Sequence, residues 1–315
     1  MFEILYASFM ESTSMDVIVD ARRLQVLREM RERGTVVATA KALHLTPSAV
    51  SQQLATLARQ VGVPLLSKHG RGVRLTGQAM VLLEHASTIH AQIEAARSDL
   101  ASYNEEPIGQ VAIGAFSTAI IGLVAPALAD LQRTASRLRL DISEVEAPEC
   151  YTSLDVGTLD LIIAIDYRLA PPRRDSRYHR THLASDVFDF VVPDTHPLAQ
   201  REGPVALEEF AGDRWVTTVP DGPCAELTIA SCTTAGFMPD IHHTCNEWEG
   251  VTALVAAGAG VALVPRLGVR CHRDGLVVRS VRDNPPKRNI YAAIRAGAER
   301  SPVLTTVIEA LRKHG

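Results

Sequence analysis

Three features of the 315-residue sequence predict an α/β chain headed by an all-α winged helix-turn-helix domain. Within Thr35 to Thr76, a threonine-capped, proline-initiated amphipathic helix follows a short helix and precedes a hairpin rich in glycine and cations. A long proline-free apolar stripe comes next. From Gly109 the chain alternates strand and helix through two successive lobes. The expected organisation is a winged domain over 16–76, a linker and dimerisation helix over 77–106 and a two-lobed α/β module over 107–315. Lobe I takes about 107–184 and 287–315, and lobe II about 185–286.

Ala21 to Arg33 reads as a helix, with Leu24, Leu27 and Met30 at helical spacing and Gly34 as its stop. Val37 to Leu43 is a second, short helix with the small Ala40 turned inward, and Leu45 is expected to plug the turn. Thr46 is a good N-cap, Pro47 occupies a position where its missing N–H is harmless, and Val50, Leu54, Leu57 and Val61 recur at helical spacing. That periodicity turns Ser48, Ser51, Gln52 and Gln53 outward on the first turns, beside Thr46 and Pro47. This end of a recognition helix meets base edges in the major groove, where glutamine can grip adenine N6 and N7. Ser67 to Arg74 alternates glycine with cations, so Lys68, Arg71 and Arg74 are expected on phosphate or in the minor groove. Charge supports duplex DNA as the partner. Arg22, Arg23, Arg28, Arg31, Arg33, Lys41, Arg59, Lys68, Arg71 and Arg74 are opposed by only Asp16, Asp20, Glu29 and Glu32, although the whole chain carries a formal charge of −4.

After Thr76, Ala79, Leu82, Ala86, Ile89, Ile93, Ala96, Leu100 and Tyr103 recur at steps of three and four. A narrow seam of this kind pairs with its copy, so Leu82, Ile89 and Ile93 are the expected dimer contacts. Asn104-Glu105-Glu106-Pro107 ends the helix. Strands at 110–115, 138–145 and 160–165 alternate with helices at 120–134 and 151–157, a βαβαβ pattern with parallel strands. A second α/β lobe follows. The late strands at 276–281 and 289–294 precede a terminal helix at 302–313 that should pack back on lobe I, so the chain crosses between lobes near 183–186 and 285–288. Ser117, Thr118, Thr218 and Asn246 lie beyond the carboxyl ends of strands, where open α/β sheets bind ligands. The hydroxyls of Ser117 and Thr118 ahead of a helix suit an anionic effector.

Composition narrows the classes. With 46% hydrophobic residues the chain can bury substantial cores, and no span is long enough for a membrane. Five scattered cysteines make no disulfide framework, and the apolar opening before Met15 lacks a basic region and cleavage site; cytoplasmic localisation is expected, with Met15 as a candidate native start. Gly258-x-Gly260 follows a helix instead of a strand, so it is no dinucleotide loop. His242-His243-x-Cys245 puts adjacent residues on opposite strand faces, without a fourth ligand nearby. No nucleophile elbow or ordered triad is spelled, so the expectation is no metal, no resident cofactor and no enzyme. An enzyme using the interlobe cleft is the different-class alternative.

In this order, the motifs resemble the LysR-type transcriptional regulators over nearly all of Asp16 to Gly315. The resemblance rests on Ala40-x-x-Leu43-x-Leu45-x-Pro47-Ser48-Ala49-Val50-Ser51-x-x-Leu54, on Gly62-Val63-Pro64-Leu65-Leu66 and on Gly72-Val73-Arg74-Leu75-Thr76. It continues through Gly157-x-Leu159-Asp160-Leu161, His196-Pro197-Leu198-Ala199, Ala235-Gly236-Phe237-x-Pro239 and Val255 to Pro265. Leu57-Ala58, Leu66-Ser67-Lys68 and Ala79 depart from the usual Leu-Glu, Phe-x-Arg and Gly. The resemblance implies an effector module reminiscent of periplasmic binding proteins, a small molecule bound between its lobes, a homodimer or dimer of dimers on DNA, and RNA polymerase as a partner. Peroxide-sensing members place two reactive cysteines where this chain has Cys224, after Asp221-Gly222, and Cys232, before Ala235-Gly236. Redox sensing through these thiols is the alternative reading. Ala225 and Glu226 supply no cation to activate Cys224.

Overall fold

The computed structural model describes residues 19–70, 72–103, 107–168, 170–269 and 274–315. Arg71, expected at the wing tip, and Cys271 lie outside them, as do residues before Val19. Helices α1 (Ala21–Arg33), α2 (Val36–Ala42) and α3 (Pro47–Val61) form a three-helix core, followed by the hairpin of β1 (Leu66–His69) and β2 (Gly72–Leu75). Each helix begins on the hydroxyl or carboxylate its sequence offers. Asp20 accepts from Arg22 N, Thr35 from Ala38 N and Thr46 from Ala49 N, satisfying amide groups that a helix start leaves without partners. Gly34 ends α1 at φ 73°, where a side chain would be strained. Leu24, Leu27, Met30, Ala40, Val50, Leu54 and Leu57 are buried together. Leu45 does not plug the turn: it is 37% exposed, and Leu43 packs on this core in its place.

Helix α4 (Gly77–Ala101) is continuous, but its stripe divides between two duties. Ala79, Leu83 and Ala86 are buried in the winged-domain core, with Leu82 half-buried against it, whereas Ile89 and Ile93 are 39% and 38% exposed. Leu100 and Tyr103 continue this uncovered face. The uncovered part of the stripe therefore starts near Ile89, with Leu82 at its margin. Ile89→Asp is expected to turn a dimer into monomers on analytical ultracentrifugation of the full-length protein, because a carboxylate at a paired apolar seam costs several kcal/mol. An unchanged dimer would remove this seam from consideration.

The module is built on a mixed seven-stranded sheet shared by both lobes. Lobe I holds β3 (Gly109–Ala115), β4 (Leu138–Glu144) and β5 (Leu161–Ile165), with β3 parallel to both neighbours. Helix α5 (Ser117–Thr134), with one π turn at Ile120–Val124, and α6 (Glu149–Val156) supply the crossovers. Two long strands tie the lobes: β6 (Tyr178–Pro193) and β11 (Lys287–Arg295), the second extending beyond the expected 289–294, antiparallel and paired from Lys287↔Val187 to Arg295↔Tyr178. Thus the crossing at 183–186 is ordered strand. Polar residues such as Thr181, His182 and Ser185 interrupt the apolar run there, which hid the first half of β6 from sequence periodicity. Lobe II adds β7 (Arg214–Thr217), α7 (Pro223–Thr234), β8 (Asp240–Thr244), α8 (Trp248–Ala256), β9 (Ala262–Pro265) and β10 (Leu276–Arg279). Helix α9 (Pro302–Arg312) returns to lobe I, burying Leu304, Val307 and Leu311 with Ile113, Leu123 and Ile290. Among the described residues no helix is long and apolar enough to cross a membrane.

The winged domain and module of one chain also touch. Arg33 of α1 donates to Thr152 Oγ1 of α6 at 2.6 Å, and Gln25 donates to the Asp155 carbonyl. Arg177 binds Asp155 at 3.0 Å and Asp175 at 2.8 Å, and reaches Glu32 of α1. The linker lies equally close. Ser98 donates to the Gly297 carbonyl at 3.4 Å, and a Cβ on Gly297 (φ +92°) would stand 2.0 Å from the Ala91 carbonyl oxygen.

Candidate DNA-binding face and interlobe cleft

On the winged domain, Thr46, Pro47, Ser48, Ser51 and Gln52 are exposed, while Gln53 is half-buried. Ser51 donates its hydroxyl to the Pro47 carbonyl at 3.0 Å and so retains acceptor capacity only, while Ser48 shares a 3.0 Å bond with Thr46 in which either hydroxyl can donate. Gln52 is exposed and among the described residues has no side-chain hydrogen-bond partner, which leaves its donor and acceptor for a base. In the hairpin Ser67 faces Arg74 and Lys68 faces Val73, with Gly70 at φ 57° in the tip. Lys68 and Arg74 are exposed. The α3 amino end and this hairpin thus present side chains fit for base edges and phosphates respectively.

Between the lobes lies a cavity of about 330 Å³. All four residues expected there line it: Ser117 and Thr118 at the start of α5, Thr218 after β7 and Asn246 after β8. Thr118 and Thr218 are buried, Ser117 is half-buried and Asn246 exposed. Among the described residues the Thr218 hydroxyl has no hydrogen-bond partner, although only 8% of the residue is exposed. Such an orphan costs about 1–3 kcal/mol unless something in the cavity satisfies it.

Sequence reading missed the residue at the centre. Arg288, on β11 opposite Asp186 of β6, is 6% exposed and bound to Asp186 Oδ2 at 2.8 Å. Its guanidinium donates to Thr118 Oγ1 of lobe I at 2.7 Å and approaches Cys224 Sγ of lobe II at 3.6 Å, lying over the Phe116 ring at 5.0 Å. Asp186 also accepts from Leu267 N at 3.2 Å. An arginine distant in sequence from all its partners leaves no local pattern; only the β6–β11 register brings it here.

Arg288 supplies the cation that the Cys224 neighbourhood lacks in sequence, yet burial outweighs it and holds the thiol above its usual range. Cys232 is pushed up to about 12 by burial. Both cysteines lie on α7, and eight residues of helix separate them by about 12 Å along the axis, so they cannot bond without unwinding it. Cys150 lines the cleft from lobe I and is likewise pushed up to about 12 by burial.

A winged helix-turn-helix joined by a long helix to a two-lobed α/β module with a ligand-sized cleft defines a DNA-binding transcriptional regulator. The chain belongs to the LysR family: residues 21–80 match the family model for the bacterial regulatory helix-turn-helix protein, lysR family, and residues 104–315 match that for the LysR substrate binding domain. It is 26% identical over 299 residues to the hydrogen peroxide-inducible genes activator of Pectobacterium carotovorum subsp. carotovorum, covering 94% of this chain and 97% of that protein. It is 27% identical over 303 residues to the HTH-type transcriptional regulator MetR of Escherichia coli (strain K12), with 94% and 91% covered. The fold matches the Corynebacterium glutamicum OxyR C206 mutant with a TM-score of 0.61 at 20% identity, covering 94% and 92% of the two chains. It matches full-length CbnR in complex with its target DNA at 0.56 and 19% identity, with 94% and 100% covered.

Proposed function

We propose that this regulator is controlled by a small molecule held between its lobes. In this reading, Ser117, Thr118, Thr218 and Asn246 line the effector site, DNA is held through α3 and the wing, and two or four copies assemble through α4. RNA polymerase is the partner that reads out the bound state. The observation that carries the proposal is a cavity of ligand size lined by Thr218, whose buried hydroxyl has no hydrogen-bond partner among the described residues. Thermal-shift screening of the full-length protein tests it, since a ligand present at 100 Kd stabilises the folded state by about 2.7 kcal/mol. Compounds that raise Tm should lose their effect in Ser117→Trp, which fills the cleft, and weaken in Ser117→Ala. Stabilisation unchanged in both variants would locate the effector elsewhere.

For DNA, Gln52→Ala is expected to lose about 1–3 kcal/mol at one operator position, whereas Arg74→Ala weakens binding to every sequence and flattens the salt dependence. Competition titrations at several salt concentrations separate the two effects. Identical losses on operator and random DNA in both variants would contradict the assignment. The thiol-sensing reading, supported by the peroxide-responsive relative and by Arg288 beside Cys224, is the weaker one. Both thiols are buried, both are held above their usual range, and they are spaced apart on one helix.

A further inference from the structure

The cleft has a charge pattern that its serine and threonines do not suggest. Glu144, the last residue of β4, and Glu146, two residues on, line the cavity from lobe I, and Glu247, the residue before α8, lines it from lobe II. Among the described residues none of the three carboxylates has an ion-pair or hydrogen-bond partner. Among the described residues the one cation in the lining, Arg288, is already held by Asp186, Thr118 and Cys224. Partial withdrawal from water, then the Glu247 and Glu144 carboxylates, hold the Glu146 carboxyl above its ordinary range, with Arg288 acting the other way. Like charge therefore meets like charge across the gap between lobes. Two aromatic rings, Tyr167 and Trp248, line the same cavity, and their faces attract cations. A second, independent mark of a ligand is Thr218, a residue of this lining that is more than nine-tenths buried and whose hydroxyl has no hydrogen-bond partner among the described residues.

We propose that the effector is a compact organic cation, an ammonium or guanidinium compound, bound between Glu144 and Glu146 of lobe I and Glu247 of lobe II. This rests on the reading that an effector occupies the cleft, and it names that effector's chemical class. Mutual repulsion of the carboxylates favours separated lobes. A cation between them replaces that repulsion with two attractions, one to each lobe, so binding and closure are the same event. The volume, near the lower end for ligand pockets, suits a small molecule. An effector carrying only negative charge would face three unpaired carboxylates. A carboxylate on a zwitterion would have Ser117 to meet, with its cationic end at the glutamates.

The test uses the full-length protein and a defined panel: methylguanidinium, tetramethylammonium, putrescine, agmatine and L-arginine as cations, with acetate, succinate and benzoate as anions. Each is compared with sodium chloride at matched ionic strength by thermal shift, and compounds that bind are measured by calorimetry. At least one organic cation is expected to raise Tm beyond the salt control, with affinity reduced at least tenfold in Glu146→Gln/Glu247→Gln and abolished in Ser117→Trp. Circular dichroism of the glutamine variant checks that it is folded, and the single variant Glu144→Gln provides a milder version. The proposal is overturned if no cation acts beyond salt, or if cations bind the glutamine variant as well as the parent. Anions alone binding in a manner lost in Ser117→Trp would overturn the cation class and leave the cleft reading standing. Binding indifferent to Ser117→Trp would instead remove the cleft reading.

Discussion

Arg288→Ala is expected to destabilise the module by about 3–5 kcal/mol, the range for breaking a buried ion pair from one side. Asp186 would be left with its side chain 2% exposed and, among the described residues, only the Leu267 amide as a donor, and Thr118 would lose a 2.7 Å bond. The loss should depend on which partner remains. Replacing both members, as in Arg288→Met/Asp186→Leu, removes the stranded charge and should recover much of the stability, because the penalty lies mainly in the unpaired carboxylate. Urea unfolding of the parent, the single and the double variant measures both effects. A single-variant loss below about 1 kcal/mol would mean that Asp186 finds water or another donor and that the β6–β11 crossing does not depend on this pair.

Arg177→Ala should uncouple the winged domain from the module while lowering stability by about 3 kcal/mol, the low end of the buried-pair range. The guanidinium is held firmly protonated by Asp175, Asp155 and Glu32, although burial opposes its charge. Asp155 has a side chain only 4% exposed, and without Arg177 its remaining side-chain bond is from the Tyr178 hydroxyl at 3.0 Å. Glu32 would lose its link across to the module. Hydrogen exchange is the direct readout. Faster exchange in α1 and α6, with β3 and β5 unchanged, is expected, whereas unchanged α1 protection would show that Arg33–Thr152 and Gln25–Asp155 suffice. Helix α6 gives this contact a second interest: Cys150 near its start lines the cleft, and Thr152 and Asp155 further along the same short helix hold α1. A shift of α6 on ligand binding would therefore reach the winged domain through one short helix. In Arg177→Ala, ligand should lose much of its influence on DNA affinity.

The candidate site was legible to different depths. Ser117, Thr118, Thr218 and Asn246 could be placed because strand ends are marked by local pattern, and all four line one cavity. Arg288, Glu146 and Glu247 carry no local mark. They matter because of what stands opposite them, and pairing across 102 residues, as between Arg288 and Asp186, is written in sheet register. The exposed position of Leu45 was misread for a related reason. Its apolar character was visible in sequence, but whether Leu43 or Leu45 faces the core depends on the local turn, where His44 adopts φ 53°.

By itself the sequence determined the elements whose causes are local. The cap at Thr46, the stop at Gly34 and the apolar period of α3 each act over a few residues, so short-range reading suffices. The order of those elements sufficed for the family and hence for DNA binding. Tertiary structure alone decided the lengths of β6 and β11, the division of the α4 stripe between its own core and an open seam, the docking of α1 on α6, and the charge across the cleft. These are consequences of which surfaces meet. A side chain's burial and partners are set by residues far away in the chain, and no periodicity in the sequence records them.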